Sequence, residues 1–111
     1  MLSKVLYSKP GPLQPTDIPF TSPVAGSPVL FFLSGSGWSP NGQEMVGVNV
    51  ALDGETFTSM QAFTNEAKSH VTFVSEINLV TLDFGQHKLS LQPSSNLTSD
   101  TNDTFTVTLI Y

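Results

Sequence analysis

Two groups of polar residues have the types and spacing that ligand binding requires. In the first, Asp100, Asn102 and Asp103 place three oxygen-bearing side chains within four residues, and such oxygens are the ligands that Ca²⁺ prefers. The run lacks the mid-loop glycine and closing glutamate of an EF-hand, so a calcium site here would need further oxygens from elsewhere, such as Asp83 or Glu76. The alternative is structural, because Asp and Asn side chains also cap their own backbone in tight loops.

The second group is a polar loop that contains Asn65, Glu66 and His70. These side chains could form hydrogen bonds to sugar hydroxyls, with Trp38 or Phe63 as a stacking surface. This combination predicts a lectin-like site at Trp38, Asn65, Glu66 and His70. The alternative is a connection whose polar side chains are simply in water.

The residues do not form a pattern that predicts catalysis. His70 and His87 are the only histidines, and the segment 34–37 lacks the following helix of a nucleophile elbow, which favours a flexible turn. Asp53 and Glu55 flank Gly54, as solvated hairpin residues do. There is no cysteine and no phosphate-binding loop. We therefore expect a protein that is not an enzyme and needs no cofactor, apart from the Ca²⁺ considered above.

Composition limits the class of protein and its partners. The 111 residues are enough for one domain, and 39% hydrophobic with 12% charged residues indicates a folded, strand-rich chain. Four basic residues against nine acidic ones argue against nucleic acid and anionic membranes as partners. The longest apolar run is too short to cross a bilayer, and the N-terminus is too short for a secretory signal. We expect a soluble protein, with a virion or cell surface and the cytoplasm both left open.

Side-chain alternation with a period of two predicts strands along most of the chain. The predicted strands cover residues 4–8, 18–21, 27–34, 45–52, 70–77, 80–84, 87–91 and 105–110, with weaker alternation over 58–64. The prolines of 9–15 predict an extended connection, within a Pro-rich segment at 9–28. The last strand places the C-terminus inside a sheet. We predict an all-β fold, one domain over 1–111, built as a two-sheet antiparallel jelly-roll sandwich of eight to ten strands.

The order of these features resembles a known family. The features are an apolar strand ending in Ser34-Gly35-Ser36-Gly37-Trp38, a hairpin at Leu52-Asp53-Gly54, the strand Gly85-x-His87-x-Leu89-x-Leu91, an acidic loop, and Phe105-x-Val107-x-Leu109-Ile110. From about Val29 onward the chain resembles the jelly rolls of the C1q and tumour-necrosis-factor-like superfamily, including small bacterial and phage-borne members. The chain has no collagen-like stalk and is shorter than most eukaryotic members, so their receptor-ligand role is not carried over. The resemblance implies a ten-stranded jelly roll that assembles as a trimer.

The apolar run 29–33 gives a separate reason to expect assembly. Neighbouring residues on a strand point to opposite faces, so these side chains cannot all enter one thin core. We predict a homo-oligomer interface at Val29, Phe31, Phe32, Leu33, Phe105 and Tyr111; the alternative is that a loop covers the second face.

Three functions are compatible with these features. The first is a structural or recognition head, which could bind a cell-surface receptor or a glycan. The second is a carbohydrate-binding module, and the third is a phage or virion tail component.

Overall fold

The protein is a two-layer β-sandwich. The computed structural model describes residues 1–74 and 76–111, and ten strands lie within those two ranges. They are β1 (Ser3–Pro10), β2 (Thr16–Thr21), β3 (Ser27–Ser34), β4 (Ser36–Gly37), β5 (Glu44–Leu52), β6 (Glu55–Thr64), β7 (Val71–Thr72), β8 (Glu76–Leu82), β9 (Gln86–Pro93) and β10 (Thr104–Ile110). The fold is all-β with two antiparallel layers, which confirms the predicted jelly-roll sandwich.

Each layer has four strands, and apart from the β5-β6 hairpin the strands that pair are not consecutive in the sequence. The first sheet has the order β1-β10-β3-β8 and the second has the order β2-β9-β5-β6, while β4 and β7 form a small separate ribbon. All the pairings are antiparallel. The C-terminal strand β10 lies between β1 and β3, so the prediction that the chain ends inside a sheet is confirmed. The described elements include no helix that could cross a membrane.

Turn chemistry sets the hairpin between β5 and β6. Asp53 and Gly54 connect these strands with φ values of 52° and 89°. A two-residue turn with both φ values positive matches the right-handed twist of the flanking strands, and Asp-Gly is a favoured pair for it. The hairpin predicted from these two residues is therefore confirmed.

The core contains alternate side chains from both sheets. Phe31 of the first sheet packs edge-to-face against Phe20 of the second, with ring centroids 6.1 Å apart. It also contacts Phe57 of β6, with centroids 5.7 Å apart. These aromatic contacts join the two layers at their centre. The fully buried side chains around them include Leu33, Met60, Leu82, Leu89, Leu91, Val107 and Leu109.

The burial of β3 and β10 corrects the predicted oligomer interface. The side chains of Val29, Phe31, Leu33 and Phe105 are buried between the two sheets of a single chain. They have no surface left for a partner, so the prediction is wrong for these four residues. The sequence showed that β3 has two apolar faces, but it did not show which one points inward. The remaining two predicted residues, Phe32 and Tyr111, are only half-buried.

Several predicted strand boundaries differ from the structure. β1 continues to Pro10, which the edge of a sheet tolerates because that proline lacks only an outward donor. The residues 70–77 do not form one strand, since β7 ends at Thr72 and β8 begins at Glu76; Ser75 lies outside the described residues. The short strand predicted at 80–84 is the end of β8.

Because β10 has one inner and one outer face, shortening a side chain to alanine should lower the stability by different amounts on the two faces. Leu109 is fully buried, whereas its neighbour Thr108 is half-buried on the opposite face of the strand. We expect Leu109→Ala to lower the free energy of unfolding by about 2–5 kcal/mol, since it leaves a cavity in the core. Thr108→Ala should cost less than about 1 kcal/mol. Urea unfolding of both variants measures the difference; equal costs would show that the faces are wrongly assigned.

Candidate functional site

A buried carboxylate organises one end of the sandwich. Asp103 immediately precedes β10, and its side chain is almost completely enclosed. Its Oδ1 atom accepts hydrogen bonds from Ser36 Oγ at 2.7 Å and from His70 Nδ1 at 2.8 Å. Its Oδ2 atom accepts a hydrogen bond from the backbone N–H of Asp100 at 2.9 Å. Both carboxylate oxygens are therefore occupied by donors from three separate parts of the chain.

These hydrogen bonds decide the charge of Asp103. Burial by itself would raise the pKa of this carboxyl. The donors from Asp100, His70 and Ser36 outweigh burial, so the pKa of Asp103 lies below its ordinary value. The group is consequently an ionised carboxylate at neutral pH, and its hydrogen bonds are charge-assisted.

His70 connects the buried carboxylate to the surface. Its imidazole is 40% exposed, and its Nε2 atom lies 3.6 Å from Oδ2 of Asp100. The hydrogen bond to Asp103 is the main cause that raises the pKa of His70. On its other side the imidazole lies beside Trp38, with ring centroids 6.0 Å apart and planes tilted by 49°.

Tight packing of two glycines positions Trp38 and Ser36. A Cβ atom on Gly37 would lie 2.9 Å from the backbone oxygen of Thr98, and one on Gly35 would lie 2.7 Å from Cδ1 of Phe105. Glycine therefore lets this segment pack closely against its neighbours. The interpretation of residues 34–37 as a flexible turn is therefore wrong, because they form β4 and its packed approach to the core.

The structure brings together residues from both of the predicted sites. His70 of the predicted sugar site and Asp100 and Asp103 of the predicted calcium site present ligand atoms within 4.8 Å of one another. Asn102 contributes its backbone N–H, which donates to Oδ1 of Asp100 at 2.8 Å. This hydrogen bond and the one from Asp100 to Asp103 are the capping contacts of the structural alternative.

The donor set is a poor match for Ca²⁺. Calcium takes six to eight oxygen ligands, whereas this cluster contains an imidazole nitrogen and a carboxylate, Asp103, whose two oxygens already accept from protein donors. Imidazole is a ligand for metals such as zinc and copper. Local hydrogen bonds account for the positions of Asp100, Asn102 and Asp103 relative to one another.

The structure places two of the predicted sugar-site residues side by side. Trp38 is half-buried beside His70, with ring centroids 6.0 Å apart, and its Nε1 atom is buried without a partner among the residues that the structure describes. Asn65 and Glu66 lie on the loop after β6 with exposed side chains. A sugar site formed by all four residues stays a prediction.

A second histidine, His87, is bonded to Asp53 in the hairpin between β5 and β6. The sequence analysis did not identify this pair. His87 Nδ1 contacts Oδ2 of Asp53 at 2.6 Å, and His87 Nε2 donates to the carbonyl of Asp83 at 2.8 Å. The other carboxylate oxygen of Asp53 accepts from the backbone N–H of Lys88 at 2.9 Å. Asp53 is therefore not simply a solvated turn residue. Because both ring nitrogens are bonded, this histidine ties loops together and has no free atom for catalysis.

Comparison with known proteins identifies the type of fold. No protein-family model matches this sequence, and no curated protein matches it. Among solved structures, the globular domain of the zebrafish complement 1qA protein superposes with a TM-score of 0.54 at 14% identity, over 84% of this chain. The chain spans 66% of that domain.

This chain has the jelly-roll fold of the C1q globular domain. The resemblance inferred from the sequence is thereby confirmed at the level of the fold. The same jelly roll also matches the CBM36-1 domain of a multidomain xylanase from the hindgut metagenome of Trinervitermes trinervoides. In that comparison the TM-score is 0.52 at 13% identity, over 99% of this chain and 97% of the other.

Removing the charge of Asp103 should weaken this end of the jelly roll. In Asp103→Asn the hydrogen bonds from Ser36 and His70 lose their charged acceptor, and we expect a loss of about 1–3 kcal/mol in the free energy of unfolding. The pKa of His70, followed by NMR, should fall toward its ordinary value of 6.5. Asp100→Asn is the matched control. Because the side chain of Asp100 is 46% exposed, this variant should have a smaller effect on the free energy of unfolding and on the pKa of His70. An unchanged His70 pKa in Asp103→Asn would contradict this assignment.

The two histidines should make stability depend on pH. The folded pKa values of His70 and His87 both lie above the ordinary 6.5, mainly because of Asp103 and Asp53 respectively. The stability that the two protonated histidines contribute is fully present below about pH 6.5 and is lost as pH rises through the folded pKa values. Urea unfolding from about pH 6 to about pH 9 should show decreasing stability. His70→Gln and His87→Gln should each flatten part of this decrease; a wild-type protein whose stability rises over that range would refute the assignment.

Proposed function

We propose that this chain is a non-enzymatic recognition module that assembles with copies of itself through the outer face of the first sheet. The observation that supports this proposal is an apolar surface on that face. It consists of Leu30, Phe32, Ile77, Leu79 and Ile110, with Val5 on the edge strand beyond Thr108, and we refer to it below as the apolar face.

Strand register brings the residues of the apolar face together. Leu30 of β3 lies opposite Leu79 of β8 on one side and Ile110 of β10 on the other. In the next row, Phe32 lies opposite Ile77 of β8 on one side and Thr108 of β10 on the other. Residues directly opposite one another in an antiparallel pair share one face of the sheet, so the three apolar residues of the first row lie beside the two of the second.

The apolar face is open to solvent in a single chain. Leu79 is 71% exposed, and Ile77 and Val5 are each 60% exposed. One end of the face forms a depression of about 290 Å³, lined by Met1, Pro28, Leu30, Leu79, Ile110 and Tyr111. Contiguous apolar patches of this kind mark interaction sites in soluble proteins.

A second copy of the chain is the occupant that we propose. Closed cyclic assemblies are the usual way in which a soluble chain covers such a patch. The resemblance to C1q-type jelly rolls implies three copies, with apolar side chains along the threefold axis. The half-buried Phe32 and Tyr111 remain in this interface, while the four buried residues named above support it from inside the sandwich.

The proposed module uses neither catalysis nor a cofactor. His87 has both ring nitrogens bonded, and the oxygens of Asp103 are occupied by protein donors. A role in a phage or virion tail would use the same self-association, and recognition of a glycan or receptor would use surfaces outside the apolar face.

A charge on the apolar face should prevent assembly. We expect light scattering to give the wild-type protein a mass of three times 11.9 kDa, and Leu79→Lys a mass of 11.9 kDa. Burial of an unpaired ammonium group in an apolar interface is strongly unfavourable.

Thr56→Lys is the matched control, since it adds the same charge at an exposed position of the second sheet. That variant should assemble like the wild type. A wild-type protein of 11.9 kDa at every concentration would overturn the proposal.

A further inference from the structure

A shallow groove on the outer face of the second sheet has a chemistry different from that of the apolar face. It has a volume of about 210 Å³ and lies over the hairpin of β5 and β6. Side chains and backbone of Met45, Gly47, Asn49, Ser59, Gln61 and Ser94 line it. We call this surface the neutral groove.

A missing side chain creates the neutral groove. On β5, Gly47 lies between Met45 and Asn49 on the outer face and opposite Gln61 of β6. A Cβ atom there would lie 2.4 Å from the backbone oxygen of Met60. Only glycine fits, and the row of side chains is therefore interrupted at this point.

The loop after β9 holds one wall of the groove in place. The backbone N–H of Ser94 donates to the carbonyl of Gly47 at 2.8 Å, and Ser94 Oγ accepts from the N–H of Gly47 at 3.1 Å. Asn96 Nδ2 donates to the carbonyl of Met45 at 2.8 Å. The wall is thus fixed to β5 before any ligand arrives, which lowers the entropic cost of binding.

The polar side chains of the groove are available to a ligand. Asn49 lies opposite Ser59 of β6 and Gln92 of β9, so one row carries two amides and a hydroxyl. Gln61 occupies the next row. In the ranges that the structure describes, the side chains of Asn49, Ser59 and Gln61 make no hydrogen bond to another protein group. Amides and hydroxyls both donate and accept.

An aromatic surface adjoins these groups. Phe63 lies directly opposite Met45 at one end of the groove, and each side chain is 49% exposed. An exposed ring beside amide groups offers a stacking face together with hydrogen-bond partners. Sugar rings present these same two kinds of surface, with apolar C–H faces and hydroxyl edges.

The uncharged lining of the neutral groove limits the kinds of ligand that could bind there. None of the residues that line the groove is ionisable, although the chain carries nine acidic and four basic residues. An anionic ligand would lack a cationic partner here, and a metal ion would lack carboxylates. The open shape and small volume do not suit a ligand that must be enclosed.

We propose that the neutral groove binds an uncharged oligosaccharide, with Phe63 as the stacking platform and Asn49 and Gln61 as hydrogen-bonding groups. This site is distinct from the one predicted at Trp38 and His70. It also does not depend on self-assembly, because the groove and the apolar face lie on opposite sides of the sandwich. In an assembly formed through the apolar face, the groove would point outward.

The test is an NMR titration of the full chain with uncharged xylo-, cello-, manno- and galacto-oligosaccharides, and with oligogalacturonate as the charged comparison. We expect one of the neutral sugars to shift the backbone signals of Gly47 and the side-chain amide signals of Asn49 and Gln61, with no shift from oligogalacturonate. Phe63→Ala should weaken binding of that sugar by about tenfold.

Phe84→Ala is the matched control, because Phe84 is a 79% exposed phenylalanine outside the groove. It should bind the sugar like the wild type. Absence of shifts with every neutral sugar would overturn the proposal, as would shifts centred on Trp38 and His70, or equal weakening by the two phenylalanine variants. Backbone spectra of both variants verify that the fold is intact. The oligomeric state of the wild type tests self-assembly separately, so the two proposals can fail independently.

Discussion

The outer surface of this jelly roll depends on one constraint, which is that successive side chains along β3 point to opposite faces of the sheet. Five consecutive apolar residues, Val29 to Leu33, occupy one extended strand, and a strand turns successive side chains to opposite faces. The core takes Val29, Phe31 and Leu33. Leu30 and Phe32 are consequently left on the outside of the first sheet, where β8 and β10 place further apolar residues beside them.

The two outer faces of the sandwich therefore have opposite character. The first sheet exposes two rows of aliphatic and aromatic side chains, while the second exposes amides and hydroxyls around the gap at Gly47. Burial of apolar surface favours association with another protein surface, whereas uncharged polar groups beside an exposed ring suit a hydrated neutral ligand. One face can serve assembly while the other remains available for recognition.

Hydrogen bonding stabilises the end of the sandwich near Asp103. Its carboxylate joins β4, the residue before β7 and the loop before β10, which are remote in sequence. An isolated buried carboxylate would be costly, but three donors offset the loss of water. The same bonds connect these three parts of the chain to one another.

Local patterns in the sequence were sufficient to predict most of the strands, the hairpin at Asp53 and Gly54, and the central position of β10, but not the ribbon of β4 and β7. Contacts between distant residues were not predictable in this way. Alternation shows that β3 has two faces, but only the packing of the second sheet decides that Phe31 points inward. The contact between His70 and Asp103 spans 33 residues, and the wall of the neutral groove depends on a contact between Gly47 and Ser94, which are 47 residues apart.

The difference between the two outer faces can be measured by NMR on the wild-type protein with a soluble paramagnetic probe, which broadens signals from solvent-exposed groups. If copies cover the apolar face, the methyl signals of Leu79 and Ile77 will be protected at concentrations where the protein assembles, while the Phe63 ring signals are broadened. Equal broadening of the Leu79, Ile77 and Phe63 signals at every concentration would show that both faces are open to solvent and would contradict self-assembly through the first sheet.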